Sequence, residues 1–572
     1  MASETLRLLP PGMLLMLGAL LIPLLPRRPQ QALMLALPVV GLWHLWQLPD
    51  GLVIGMQLGG YELDVVRVDR LSRVWGTIFH IVAFLTVIYA LHVKDRLQHV
   101  AGLVYAGSAI AAVFAGDLIT LFIYWELTAM SSVFLIWASR NRRAYTVGLR
   151  YLVIQVSSGV LLLAGAVLHY RDSGSLAFEQ MQLQGLGPHL IFIAFGIKAA
   201  FPFLHNWLQD AYPEATPTGT VFLSAFTTKL AIYALARGFA GESILIPIGA
   251  TMTAFPIFFA VIENDLRRVL AYSLNNQLGF MLVGVGIGTP LALNGTASHA
   301  FAHILYKALL FMAMGAVLHR TGTIKASELG GLYKTMPLTA AFCIVGSMSI
   351  SAFPLTSGFV TKSMVMSAAA EGHLTVTFLV LLFASAGVMD HSGIKIPFFS
   401  FFAHDSGKRP KEAPPNMLLA MGLTAALCIL IGVFPRPLYD ILPYPVDYQA
   451  YGVTHVVTQL QLLLFAALAF GTMMRLGIYP PELPSRNLDF DWTYRKALPW
   501  AVARVRSFGG QVWREQKELA LWVVRNVMTE TRRQYSPDGP LGEPWLTGRT
   551  AAMTAFVLVA FLLLEFWLRA GS

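Results

Sequence analysis

Five ionisable side chains stand where the surrounding sequence is apolar. Glu126 lies inside Leu121-Phe-Ile-Tyr-Trp-Glu-Leu-Thr, Lys198 inside Ile191-Phe-Ile-Ala-Phe-Gly-Ile-Lys and Lys229 inside Phe222-Leu-Ser-Ala-Phe-Thr-Thr-Lys-Leu-Ala-Ile-Tyr. Lys307 and Lys362 occupy comparable settings in the second half. Within a bilayer each such group costs about 2.5–3.5 kcal/mol, so it is expected to be kept for what its charge does. Lysine suits a proton path because desolvation disfavours its ammonium while a nearby carboxylate favours it, so moving that neighbour loads or unloads a proton. Glu126 can serve as the neighbour of Lys198; the alternative is a static salt bridge that locks two helices.

A third cluster is His299, His303 and Lys307. Spacings of four keep them within an arc of about 80° on one helical face, with about 6 Å of rise between neighbours, a gap that one water bridges. Histidine titrates nearest neutral pH, which suits a relay. Two histidines at i and i+4 also resemble zinc helices, but no glutamate stands between them and no third ligand is evident, so no metal is expected. His205, three residues after Pro202, extends the path of Lys198. Asp390, His391 and Lys395 interrupt a late apolar run and line either an exit or an interfacial loop. Gly284-Val-Gly-Ile-Gly follows no strand, so its glycines point to close helix packing rather than to a dinucleotide.

The elements that position these residues follow from composition. The chain has 572 residues, 56% hydrophobic and 13% charged, and its mean hydropathy is +0.61. That balance excludes a water-soluble domain of this length. About sixteen apolar runs are long enough to cross a hydrocarbon core of about 30 Å as helices. The first, 11–26, lacks the flanks of a cleavable signal and reads as a retained helix. The two cysteines, Cys343 and Cys428, stand apart inside apolar runs and offer neither a disulfide nor a cluster site. No cofactor is expected, and redox chemistry is not carried by this chain. The net charge of +10 does not imply nucleic acid, because its cations fall in alternate loops. Arg27/Arg28, Lys94/Arg96, Arg140/Arg142/Arg143, Arg267/Arg268, Arg320/Lys325/Lys334 and Lys408/Arg409/Lys411 share one side; the other is nearly bare apart from Arg67, Arg70 and Arg73. By the positive-inside rule the charged loops face the cytoplasm and both termini lie outside.

Two runs are broken by proline in similar sequence, Lys198-Ala-Ala-Phe-Pro-Phe and Ser351-Ala-Phe-Pro-Leu, the second followed by Lys362. A broken helix frees carbonyls that a bilayer tolerates only against protein or a wet cavity, and such breaks in corresponding halves point to an inverted repeat around an ion path. Proline is also simply frequent in membrane helices. The expected organisation is 1–99 N-terminal transmembrane helices, 100–403 proton-conducting core with inverted repeats, 404–479 C-terminal core helices, 480–549 a basic surface segment, and 550–572 a final transmembrane helix. In 494–533, arginines and lysines interleave with Trp500, Phe508, Trp513 and Trp522. A basic amphipathic helix on anionic lipid headgroups fits this, as does a solvated linker.

The strings Tyr124-Trp-Glu-Leu, Gly196-Ile-Lys-Ala-Ala-Phe-Pro-Phe-Leu-His-Asn-Trp-Leu-Gln-Asp-Ala-Tyr, Asn264-Asp-Leu-Arg-Arg-Val-Leu-Ala-Tyr-Ser and His303-Ile-Leu-Tyr-Lys-Ala-Leu-Leu-Phe resemble the antiporter-like subunits shared by respiratory complex I, membrane-bound hydrogenases and Mrp-type cation/proton antiporters, most closely the MrpD type. The resemblance covers about residues 65–435. It implies an all-α polytopic membrane protein with a fourteen-helix core and two inverted five-helix repeats. It also implies Glu126 and Lys198 as the first-half pair, Lys229 as the connecting lysine, Lys307 as the central second-half lysine and Lys362 as the terminal one. The implied function is that of a bacterial inner-membrane component, partnered by other membrane subunits, exchanging Na⁺ or K⁺ for H⁺. The alternatives are a redox-driven proton pump, as in a complex I-like NADH-quinone oxidoreductase or hydrogenase, and a non-conducting docking subunit. The tail beyond residue 480 departs from the minimal core and looks like a shortened form of the lateral arm of the largest complex I subunit of this type.

Overall fold

The computed structural model describes residues 9–485, 487–542 and 546–570. The chain forms two compact units, 1–489 and 490–572. In the first, several apolar runs start as helices at an oxygen-bearing residue that closes the N-terminal turn. Asp69 accepts from Ser72 N, Asp117 from Ile119 N and Thr120 N, Asn141 from Ala144 N, and Asp265 from Arg267 N and Arg268 N. These bonds satisfy amide groups that a helix start leaves unpaired.

Ten of the described helices are long and apolar enough to cross a membrane, and Met13–Leu24, Leu186–Ala199 and Pro337–Ile350 are shorter apolar helices. Of the expected spans outside these ten, 31–47, 100–116 and 268–288 form the continuous helices Arg27–Gln47, Arg96–Val113 and Leu266–Ile287, which carry more polar residues, and the others fall on short or broken helices. The expected span 189–208 divides into Leu186–Ala199 and Asn206–Ala211, and 335–370 into Pro337–Ile350 and Ser357–Glu371. The span 217–239 is interrupted at Phe226, between Pro217–Ala225 and Thr227–Gly238. The late run Thr375–Phe402 contains π-helical turns at Met389–Ile394 and Phe398–Phe402.

The two proline breaks share one backbone signature. Ala200 and Phe203 take left-handed φ values of 62° and 69°, and Ala352 and Leu355 take 58° and 71°. Side chains rarely accept that region, and such strain persists only where the surroundings impose it. At the centre runs Pro290–Thr321, about 48 Å long at 1.5 Å per residue, in which every residue from Ala292 to Val317 is buried. This helix carries His299, His303 and Lys307.

One element was not expected from the sequence. Val53–Leu58 and Tyr61–Arg67 form an antiparallel hairpin with a bulge at Ile54/Gly55. Gly59 and Gly60, at φ 57° and 88°, make its two-residue turn. The three arginines that stood out on the sparsely charged side lie beside it. Arg67 donates to the Phe178 carbonyl at 2.6 Å and Arg73 pairs with Asp50 at 2.7 Å.

In the second unit, Leu498–Tyr535 is a 38-residue helix with no buried residue, and Thr547–Ala570 is apolar enough to span a membrane.

Candidate proton path

Lys198 occupies the last turn before the first break and is fully buried. Its Nζ donates to the Trp125 carbonyl at 2.6 Å and to Thr128 Oγ1 at 3.0 Å, and it lies 4.4 Å from the centre of the Trp125 ring. Trp125 is held in turn: its indole donates to Ser158 Oγ at 3.0 Å, and Ser158 donates to the Ala194 carbonyl at 2.7 Å. Glu126, half-buried on the neighbouring helix, forms no contacting ion pair with Lys198, although the two interact electrostatically. Its Oε1 is buried without a protein hydrogen-bond partner. The pair is therefore not locked by contact.

Lys229 follows the kink at Phe226, where its Nζ donates to the Ser224 carbonyl that the kink exposes. Its own carbonyl accepts from Trp75 Nε1 at 3.0 Å. Lys229 and Lys307 both act electrostatically on His303. The rings of His299 and His303 stack at 6.1 Å, close to the helical rise inferred from their spacing, and none of their four nitrogens has a protein partner. Lys362, 2% exposed, has a buried Nζ 4.6 Å from the Phe280 ring and no protein acceptor, and it acts electrostatically on His299. Unpartnered buried polar groups are costly, so these positions are suited to bridging water.

Lys307 makes the connection that the sequence left open. Its Nζ donates to Ser273 Oγ at 2.8 Å; Ser392 Oγ donates to Ser273 Oγ at 2.7 Å; and His391 Nδ1 lies 2.8 Å from Ser392 Oγ. A continuous line of hydrogen-bonding groups thus joins the central lysine to the π-helical turn. Lys395, one turn on, is fully buried and donates to the carbonyls of Val261 and Glu263 at 2.6 and 2.8 Å while pairing with Glu482 at 2.9 Å. Asp390, His391 and Lys395 therefore belong to a helical segment packed into the core, not to an exposed loop.

His205 lies beyond the first break, 3% exposed, with its ring 4.7 Å from that of Phe255. Its Nε2 is 3.3 Å from Asp489 Oδ2. Asp489, Glu482, Ser273 and Ser392 were not singled out from the sequence. Ser273 closes one of the strings that carried the family resemblance, whereas the two carboxylates fall in a tail with no recognisable pattern. Among the described residues no group of three or more histidines, cysteines and carboxylates is arranged to hold a metal ion.

Chemically, the site offers amine, imidazole and hydroxyl groups in a buried helical core, the components of a proton wire. Residues 115–389 match the family model described as NADH:quinone oxidoreductase/Mrp antiporter, TM. The A/B component of a probable K(+)/H(+) antiporter of Rhizobium meliloti is 29% identical over 401 residues, covering 65% of this chain and 40% of that protein. Hydrogenase-4 component B of Escherichia coli is 28% identical over 372 residues, covering 58% of this chain and 55% of its own length. The chain spans about half the length of these curated relatives. A chain of the solved membrane-bound sulfane sulfur reductase, an archaeal respiratory membrane complex, shares the fold with a TM-score of 0.69 at 22% identity, covering 96% of this chain and 99% of that one. Over residues 115–389 this multi-pass membrane protein is thus similar to the antiporter-like family whose members include subunits of Mrp antiporters, NADH:quinone oxidoreductases and hydrogenases.

Proposed function

We propose that the chain is a membrane subunit of a multisubunit monovalent cation/proton antiporter, in which protons move along Glu126, Lys198, Lys229, Lys307 and Lys362 with His205, His299 and His303 as relays. The observation that carries this reading is the set of four lysines, none more than 2% exposed and none in contact with a carboxylate among the described residues. Ammonium groups serving only to lock helices would be expected to contact counter-ions, because a buried charge is otherwise strongly penalised. The relative named as part of a probable K(+)/H(+) antiporter supports exchange of K⁺, and relatives named as Na(+)/H(+) antiporter subunits support exchange of Na⁺. The membrane potential contributes about 2.3 kcal/mol per net charge moved per 100 mV, so the net charge moved per cycle decides the direction of coupling. Partner subunits complete the complex in a bacterial inner membrane, with the arginine-rich loops cytoplasmic and Leu498–Tyr535 against anionic headgroups.

The similarity to a hydrogenase component favours a second reading, in which electron transfer in partner subunits drives protons through the same residues. Inverted vesicles carrying the complete gene cluster separate the two. Dissipation of a preformed pH gradient on adding Na⁺ or K⁺, with no electron donor present, is the expected result; a proton current that appears only with a reductant would replace the antiporter by the redox pump.

A further inference from the structure

After its last core helix, Val453–Leu476, the chain turns at Gly477 and passes beside the Arg267/Arg268 turn. Asn487 fastens this segment there: its carbonyl accepts from Arg268 Nη2 at 3.4 Å and its Nδ2 donates to the Ile262 carbonyl at 3.1 Å. The segment ends by delivering Asp489, whose side chain is only 3% exposed, into the polar end of the first broken helix. There the carboxylate accepts from Tyr272 OH at 2.7 Å and from Asn206 Nδ2, and faces His205 Nε2 at 3.3 Å.

A carboxylate on a surface segment gains nothing from burial unless its charge is used. Burial alone would push the Asp489 carboxyl up, but the hydrogen bonds from His205, Tyr272 and Asn206 outweigh it and hold the group at about 2. Asp489 is thus an acceptor at any physiological pH, and the imidazole nitrogen facing it must be the donor. That leaves Nδ1 of His205 as the ring's acceptor, and Nδ1 is buried without a protein partner. The nearby charged groups on the packed elements include Arg268 and Glu263, which pair with each other at 3.4 Å.

We propose that Asp489 is a positioning residue for proton movement, fixing His205 in the tautomer whose Nδ1 takes up a water-borne proton between the Arg267/Arg268 side and Lys198. An O–H bond of the protonated water breaks as the Nδ1–H bond forms, giving an imidazolium balanced by the Asp489 carboxylate, and release of that proton to the next water breaks N–H, re-forms O–H and restores the neutral ring. The inference rests on the proton-path reading of Lys198 and assigns that path its opening.

The test is the initial rate of cation-driven proton movement between about pH 6 and 9 in inverted vesicles carrying the complete gene cluster, with Asp489→Asn, Asp489→Glu and Lys198→Ala beside the wild type. Asp489→Asn, assembled normally, is expected to lose about tenfold or more of the rate and to shift its pH profile toward lower pH; Asp489→Glu recovers part of both. A wild-type rate and profile in Asp489→Asn overturns the proposal, and so does a uniform loss at every pH, which marks a structural clasp. Should Asp489→Asn fail to assemble, Tyr272→Phe decides: it removes one bond to the same carboxylate but leaves the pairing with His205. Retained transport upholds the proposal and an equal failure overturns it. If Lys198→Ala also transports normally, the proton-path reading falls first.

Discussion

Lys307 and His391 are joined through two serine hydroxyls, by contacts of 2.8, 2.7 and 2.8 Å. Hydroxyls both donate and accept, so the line can pass a proton by reversing its hydrogen-bond direction. Ser273→Ala interrupts it while leaving Lys307 with the more distant Leu270 carbonyl at 3.4 Å. The expected outcome is a loss of about tenfold or more in proton movement with normal assembly, measured in inverted vesicles. Ser273→Thr, which keeps the hydroxyl, should retain more of the rate.

Gly159 gives the Glu126 carboxylate its place. A Cβ at this position would overlap Glu126 Oε1, so Gly159→Ala must displace the carboxylate or the helix that carries it. Overpacking of this kind costs about 1–3 kcal/mol. Gly159→Ala is expected to impair transport as Glu126→Ala does, with a smaller loss of thermal stability than of rate, read by tryptophan fluorescence melting beside the vesicle assay.

Asp69 links two elements on the opposite side. It caps Arg70–Ala90 through Ser72 N at 2.9 Å, and Arg237 Nη2 donates to both its oxygens at 2.8 and 2.7 Å. Burial acts to raise its carboxyl, but Arg237 and the cap prevail and hold it below the ordinary carboxylate range. A carboxyl lower in the folded than in the unfolded state contributes stability at pH above the unfolded value near 4, and that contribution is lost as pH falls below it. Asp69→Asn should therefore lower the melting midpoint at pH 7 and flatten its decline in acid. Solvent reaches Asp69, which limits the effect to about 1–2 kcal/mol.

The legible part of this molecule was set by bilayer physics. Ionisable residues such as Lys198 and Lys307 stand out against apolar sequence, and Pro202 and Pro354 announce interrupted helices without help from tertiary structure. Positive φ at the residues flanking those prolines was not legible, because alanine, phenylalanine and leucine do not signal it. The Ser273–Ser392 contact and the Asp489–His205 pairing join positions more than a hundred residues apart, and such pairs depend on packing that no local pattern encodes. The hairpin at Val53–Arg67 is a different case. Its Gly59-Gly60 turn was a readable signal in a stretch between two expected spans to which the sequence reading assigned no element.

The central claim is that the buried lysines carry protons, and Lys198→Ala tests it most directly. Cation-dependent proton movement is measured in inverted vesicles carrying the complete gene cluster, with assembly of the variant verified. A rate reduced to the level of vesicles lacking the cluster is the predicted result, whereas wild-type movement in an assembled Lys198→Ala complex would contradict the account and leave the lysine a structural role.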